Sequence, residues 1–194
     1  MAVIPAQDLI NMYASGIFPM AEGRDGPIML FSPDPRTILE PADLHLSASL
    51  QQTMGSGRYE IRINESFETV MRFCADREDT WISEDIIRSY VSLHEMGYAH
   101  SVEAWRDGEL AGGLYGVGLG GAFFGESMFF LQRDASKVAL AALCIRMRER
   151  GMPLLDVQYT TPHLLRFGAI EISRDEYLQR LEAALQISVD FIDG

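Results

Sequence analysis

The stretch "AHSVEAWRDGELAGGLYGVGLGGAFFGESMFF", Ala99 to Phe130, decides the fold. Its first seven residues alternate between apolar and polar as a strand does, and "RDGE" centres a turn on Asp-Gly. "LAGGLYGVGL" returns as the second arm of a hairpin, Gly120-Gly121 makes the next turn, and "AFFGESMFF" follows as a third strand. The third strand poses a chemical problem. Glu126 sits among Phe123, Phe124, Met128, Phe129 and Phe130, where burying a charge is costly unless something pairs with it.

Downstream, "ASKVALAALCIRMRER" predicts a long helix with Gly151 as its stop. "PLLDVQY" has the apolar continuity of a central strand. A short helix over Pro162 to Phe167, a strand "AIEI" and an amphipathic helix over Asp175 to Leu185 complete the chain. Upstream, a helix over Pro5 to Ser15 ends at Gly16, and the segment from Gly16 to Pro41 is so rich in proline and glycine that it predicts a long ordered loop or small subdomain. Ser47 caps a helix running to about Met54, "RYEIRIN" alternates as a strand, and helices cover Ser66 to Ala75 and Glu84 to Met96, the latter capped by Ser83. The expected architecture is α+β, a mixed but mainly antiparallel sheet with flanking helices. Residues 1–60 are expected to form a small N-terminal subdomain, and residues 61–194 the main domain.

Composition excludes several classes. With 194 residues and 47% hydrophobic content the chain can bury a real core. Two cysteines without metal-ligand spacing fit a reducing compartment, and neither a leader pattern nor an apolar run of about 18 residues is present, so the expectation is a cytoplasmic chain with no membrane partner. A net charge of −12 argues against sequence-blind binding of DNA or RNA and leaves room only for local RNA contact. Fifteen of the sixteen basic side chains are arginine, which fits bidentate phosphate recognition and genomic base composition alike.

Familiar chemistries fail on context. Gly116, Gly118 and Gly121 match G-x-G-x-x-G, but between two strands rather than at a strand-to-helix turn, so no dinucleotide site follows. His94 and Glu95 open an H-E-x-x-H pattern that Tyr98 breaks, and no zinc site is expected. There is no G-x-S-x-G. What remains is polar groups in apolar strands: Glu126, and the pair Asp156 and Gln158 in "LLDVQY", which alternation places on one face. Two readings of Asp156 stand at this point. Either it hydrogen-bonds the Gln158 side chain and fixes the amide, or it caps the following loop or satisfies a backbone N–H.

Several stretches taken together resemble one family. "FSPDPR", "CADREDTWIS", "LHEMGYAHSVEAW", "GGLYGV", "FGESMF" with "ASK", "LLDVQ" and "LRFGAIEISRDEYL" look, in this order and over nearly the whole chain, like leucyl/phenylalanyl-tRNA-protein transferase. The resemblance implies transfer of Leu or Phe, with Met as an open third donor, from aminoacyl-tRNA to the N-terminal Arg or Lys of a protein. It also implies the N-degron pathway as the destination and a main domain similar to the acyl-CoA N-acyltransferase (GNAT-like) fold. An aminoacyl ester and an amine form a peptide bond downhill, so the resemblance implies no cofactor, metal or ATP. The needs are a free amine, correct approach and oxyanion stabilisation.

By this resemblance Asp156 and Gln158 are catalytic, the amide accepting a hydrogen bond from the attacking amine while Asp156 aligns it. The ribose hydroxyl of the tRNA is an equal candidate for carrying the proton. Glu126 binds a substrate cation that arrives as its missing partner. Met128, Leu114, Leu143, Met147 and Leu155 line a pocket for the Leu or Phe side chain, and Trp81 and Phe31 stack on the terminal adenosine. Phe31 stands where the family commonly has a tryptophan. Arg58, Arg62, Arg72 and Arg77 form the nearest local basic cluster. Two other readings compete. One is an acyl-CoA-dependent N-acyltransferase, against which the glycine-free turn "LQRDAS" speaks; the other is a non-catalytic reader of basic protein N-termini.

Overall fold

The computed structural model describes residues 3–24 and 26–192. In chain order, helix α1 (Ala6–Ala14) leads into a two-stranded ribbon, β1 (Phe18–Ala21) with β2 (Ile28–Phe31), and then strand β3 (Arg36–Leu39). A 3-10 turn at Pro41–Asp43 precedes α2 (Ala48–Gly55), β4 (Glu60–Ile63), α3 (Phe67–Ala75) and α4 (Glu84–Glu95). The meander follows as β5 (Ala99–Arg106), β6 (Glu109–Leu119) and β7 (Ala122–Phe130). Helix α5 (Ala135–Arg150), β8 (Leu154–Gln158), α6 (Pro162–Leu165), β9 (Ile170–Ile172) and α7 (Arg174–Leu185) end the fold. Four helix starts obey capping chemistry: the Ser47, Ser83, Thr161 and Ser173 side chains each accept a first-turn backbone N–H.

The architecture is α+β, as expected. Seven strands form one sheet in the order β4-β5-β6-β7-β8-β3-β9, antiparallel throughout except for the β7–β8 pair. That pair is parallel because α5 carries the chain back across the sheet between them. The period of two along each strand divides neighbours between two helical layers. Tyr115, Phe124 and Ile38 join the core shared with α1, α3, α4 and α7, while Leu114, Phe123 and Leu39 join the core under α2 and α5. No helix among the described residues is long and apolar enough to cross a membrane.

The segment expected to be a long ordered loop or small subdomain differs most. Residues 16–41 contain β1, β2 and β3, and β3 lies in the main sheet between β8 and β9 with all four residues buried. Four-residue strands punctuated by Pro19, Pro27 and Pro35 carry too short a pattern to be read locally. Their existence depends on partners far along the chain.

Two irregularities in the sheet shape the site. Between Tyr115↔Ser127 and Gly116↔Gly125 the β6–β7 register shifts, leaving Glu126 as the extra residue of a β-bulge. The β7–β8 ladder ends at Phe124↔Asp156, although both strands continue, so the sheet splays open beside the bulge. Gly116 allows the close approach opposite the bulge: a Cβ there would lie 2.2 Å from the Phe124 carbonyl oxygen and 2.4 Å from the Phe123 ring. We therefore expect Gly116→Ala to lower the unfolding free energy by about 1–3 kcal/mol. Urea unfolding checks this, and an unchanged midpoint would contradict the close approach.

Candidate active site

A cavity of about 320 Å³ opens in the splay, at the lower end of the roughly 300–1,000 Å³ of small-ligand sites. Of the residues expected at the site, Glu126, Met128, Leu114, Leu143, Leu155, Trp81 and Gln158 line it. Three others do not. Met147 is fully buried in the core under α5, Asp156 lies behind the wall, and Phe31 sits on the exposed ribbon with its ring stacked 6.1 Å from Phe18. Phe18 itself lines the cavity, as do Tyr159, Tyr115, Leu140, Val157 and His163, none of which the sequence placed at the site. Phe18 and Tyr159 meet edge to face at 6.0 Å, giving the cavity flat aromatic surfaces beside Trp81.

Behind the wall, Arg36 from β3 donates from Nε to Asp156 Oδ1 at 2.9 Å and from Nη2 to Oδ2 at 2.6 Å, with both residues buried. The Tyr177 hydroxyl from α7 donates to Oδ2 at 2.7 Å, and the Gln158 backbone N–H to Oδ1 at 3.0 Å. Arg36 is held in turn by the Gly16 carbonyl at 3.2 Å and by the rings of Phe18 and Tyr177, 4.8 and 4.5 Å from its guanidinium carbon. Of the two readings of Asp156, the one in which it satisfies a backbone N–H holds, and the bond to the Gln158 side chain is not the one formed. Asp156 grips the backbone of Gln158, and the amide is free to point elsewhere.

The reason lies in the main chain. Gln158 has φ +59°, and the Tyr159 N–H donates to the Val157 carbonyl at 2.7 Å, so β8 ends in a strained γ-turn centred on Gln158. The turn breaks strand alternation at the residue that matters. Gln158 Nε2 reaches Glu126 Oε1 at 3.5 Å instead of Asp156. Glu126 also has residents rather than a vacancy: the Tyr13 hydroxyl lies 2.7 Å from Oε1, the Tyr90 hydroxyl 3.3 Å from Oε2, and the two hydroxyls lie against each other, three contacts filled by the two phenol protons and the one the carboxyl holds. Its expected need for a partner is met in the free protein by neutral donors, and no cation lies within ion-pair distance among the described residues. Burial pushes the Glu126 carboxyl up to about 8. Burial and the neighbouring Glu126 raise both tyrosines, which stay protonated as donors.

The expected basic cluster is largely consumed. Arg62 pairs with Glu60 and Glu65, Arg72 with Glu68 and Glu84, and Arg77 turns onto the Cys74 carbonyl, the Ser127 hydroxyl and the Met128 carbonyl. Both cysteines are free and buried. Among the described residues no three His, Cys, Asp or Glu side chains converge as metal ligands.

Fold and cleft together define an α+β protein with an apolar side-chain cavity, walled on one side by a carboxyl and an amide. The model of the leucyl/phenylalanyl-tRNA protein transferase family matches residues 38–182, and that of the same proteins' N-terminal domain matches residues 4–34. The chain is 55% identical over 191 residues to the leucyl/phenylalanyl-tRNA–protein transferase of Maricaulis maris, covering 96% of this chain and 88% of that one. It is 55% identical over 184 residues to that of Rubrobacter xylanophilus (94% and 96% covered) and 47% identical over 194 residues to that of Chlorobaculum parvum (98% and 100% covered). The chain belongs to the leucyl/phenylalanyl-tRNA–protein transferase family. A GCN5-related N-acetyltransferase-like protein from Streptococcus suis aligns with 95% of this chain and 64% of its own at 11% identity and a TM-score of 0.34, too low to speak for the fold.

Two outcomes follow from the site. Arg36→Ala strands a buried carboxylate and is expected to cost about 3–5 kcal/mol, against about 0.5–1.5 kcal/mol for Tyr177→Phe, which removes one donor; denaturant unfolding of both variants checks the order. Glu126 gives a pH dependence. The folded carboxyl holds its proton up to about 8 while the unfolded one ionises near 4.5, so its contribution to stability is fully present below about pH 4.5 and is lost as pH rises towards about 8. Glu126→Gln should therefore gain stability relative to the parent across that window, as read by urea unfolding at stepped pH; parallel curves would contradict it.

Proposed function

We propose that the chain moves leucine or phenylalanine from the 3′ end of an aminoacyl-tRNA to the N-terminal Arg or Lys of a protein. The product is a new peptide bond that marks the acceptor for N-degron-dependent degradation in the cytoplasm. One observation carries the reading. An apolar cavity bounded by Glu126 and Gln158 lies in a chain 55% identical to proteins named for that transfer. Leu114, Met128, Leu143 and Leu155 offer the donor side chain an apolar wall, and the unbranched Met128 adapts to either Leu or Phe; methionine suits the same surface.

In this reading Gln158 orients the attacking amine, and Asp156 is a positioning residue that holds the γ-turn through the Gln158 N–H. Glu126 binds a cationic amine of the substrates, exchanging hydrogen bonds from neutral hydroxyls for a charged partner. Trp81, with Phe18 and Tyr159, supplies faces for the terminal adenosine. Phe31 acts through Phe18, on which its ring stacks. The spent arginines support contact mainly with the 3′ end rather than with a broad tRNA surface. The parallel β7–β8 pair splaying within a mainly antiparallel sheet supports similarity to the acyl-CoA N-acyltransferase fold.

An acyl-CoA donor fits less well. Asp134 stands at the N-terminus of α5, bonded by Lys137 at 2.6 Å, and sets a carboxylate where a pyrophosphate would need bare backbone N–H groups. The deciding experiment mixes the protein with Phe-tRNA and an Arg-initiated peptide. A new N-terminal Phe on the peptide is expected; peptide binding without transfer would favour a non-catalytic reader, and acetyl transfer from acetyl-CoA the other donor. Trp81→Ala should weaken binding of the aminoacylated 3′ end by about 1–3 kcal/mol, and unchanged affinity would remove Trp81 from the stack.

A further inference from the structure

An acceptor α-amine arrives as an ammonium with a pKa near ~8 and must shed a proton before it can attack. Asp156 is badly placed to take it. Its oxygens already accept from Arg36 Nε and Nη2, the Tyr177 hydroxyl and the Gln158 N–H, and it is fully buried behind the cavity wall. The Gln158 amide binds no proton at neutral pH. Glu126, by contrast, lines the cavity and touches the amide that orients the amine.

We propose that Glu126, besides holding the substrate's cation, takes the proton that the attacking amine sheds and delivers it to the departing ribose oxygen. The inference rests on the transfer reaction proposed above. The groups that face Glu126 bear on this, with Arg77, held on Ser127 and Met128, and His163 lining the same cavity. Tyr13 from α1 and Tyr90 from α4 donate to its two oxygens, and the Tyr115 hydroxyl from β6 is buried without a partner among the described residues. Gln158 from β8 reaches Oε1, while the Asp156 charge lies against that of Arg36 from β3. Among the described residues no cation lies within ion-pair distance of Glu126, Arg36 acting on it only from farther off, and burial pushes its carboxyl up to about 8, into the range of an α-ammonium. A carboxyl in that range can both take the proton and give it back, and the state with a neutral amine is the reactive one.

The step balances. The amine nitrogen forms the new C–N bond and the ester C–O bond breaks; the nitrogen enters with three protons and leaves with one. The first passes to Glu126 before attack and from there to the ribose oxygen, which leaves as a hydroxyl. The second is lost after collapse to the emptied Glu126 carboxylate and then to solvent.

Glu126→Gln keeps the shape and an acceptor oxygen for the tyrosines but cannot carry a proton. Single-turnover transfer from Phe-tRNA to an Arg-initiated peptide, at saturating peptide, should fall about 100-fold near pH ~7. The logarithm of its rate should climb with a slope of about one as free amine forms, closing most of the gap above pH ~9. Asp156→Asn should slow transfer without changing the shape of the profile. A Glu126→Gln variant that raises only the peptide KM, with a profile parallel to the parent, overturns the proposal, as does appearance of the new slope in His163→Gln instead. If the parent itself transfers nothing, the proposed function fails and the proton carrier falls with it. An independent arm needs no variant: infrared spectra of the carboxyl-labelled parent should show one protonated glutamate titrating near ~8 that ionises when peptide binds, and ionisation complete below about pH 5 overturns the inference.

Discussion

Arg36 and Asp156 are 120 residues apart in sequence, and their bidentate ion pair joins five elements at one buried point. Arg36 reaches the end of α1 through Gly16, β1 through Phe18, β8 through Asp156 and α7 through Tyr177, while its own strand β3 is wedged between β8 and β9. A buried pair of this kind adds little stability over well-packed apolar residues, but it tolerates no partial occupancy, because either charge left alone is heavily penalised. The pair thus ties the placement of the N-terminal segment to the geometry of the β8 end. The γ-turn at Gln158 depends on the same carboxylate, since its N–H is the fourth group that Asp156 accepts.

A second constraint works from the opposite strand. A regular β7 would alternate Glu126 into line with its neighbours, whereas the bulge leaves it unpaired and the end of the β7–β8 ladder gives it an open side. Two carboxyls on neighbouring strands therefore meet opposite surroundings. Asp156 has a guanidinium and a fixed hydrogen-bond shell; Glu126 has phenols, an amide and a cavity. Environment assigns the two acids different work.

What was legible in the sequence follows from how local the signal is. From Ala99 onward, long strands, an Asp-Gly turn and a sixteen-residue helix state their own periods, and the structure places each element where the pattern puts it. The ribbon and β3 were not legible, because a buried "RTIL" owes its strand state to β8 and β9 rather than to any repeat of its own. At the site, Glu126, Asp156 and Gln158 showed themselves as polar residues in apolar strands. Their partners did not. Tyr13 and Tyr90 look like the apolar stripes of two helices, and Arg36 like one more arginine in an arginine-rich chain; only the sheet's topology turns them inward. The one available hint was Arg36 directly after S-P-D-P, a charged residue opening an apolar run.

The same distinction explains why, of the two readings open for Asp156, the backbone bond formed and the side-chain bond to Gln158 did not. Alternation correctly put the two residues side by side, but it assumes that the strand continues through both. A residue at φ +59° ends that assumption, and the cost of the conformation, of order 1–3 kcal/mol for a non-glycine residue, is met by the hydrogen bond that Asp156 supplies. The carboxylate that would have steered the amide instead steers the backbone. The amide, released from it, meets Glu126 at the cavity wall, so a substrate finds there a carboxyl and an amide bonded to each other rather than an amide bound to Asp156.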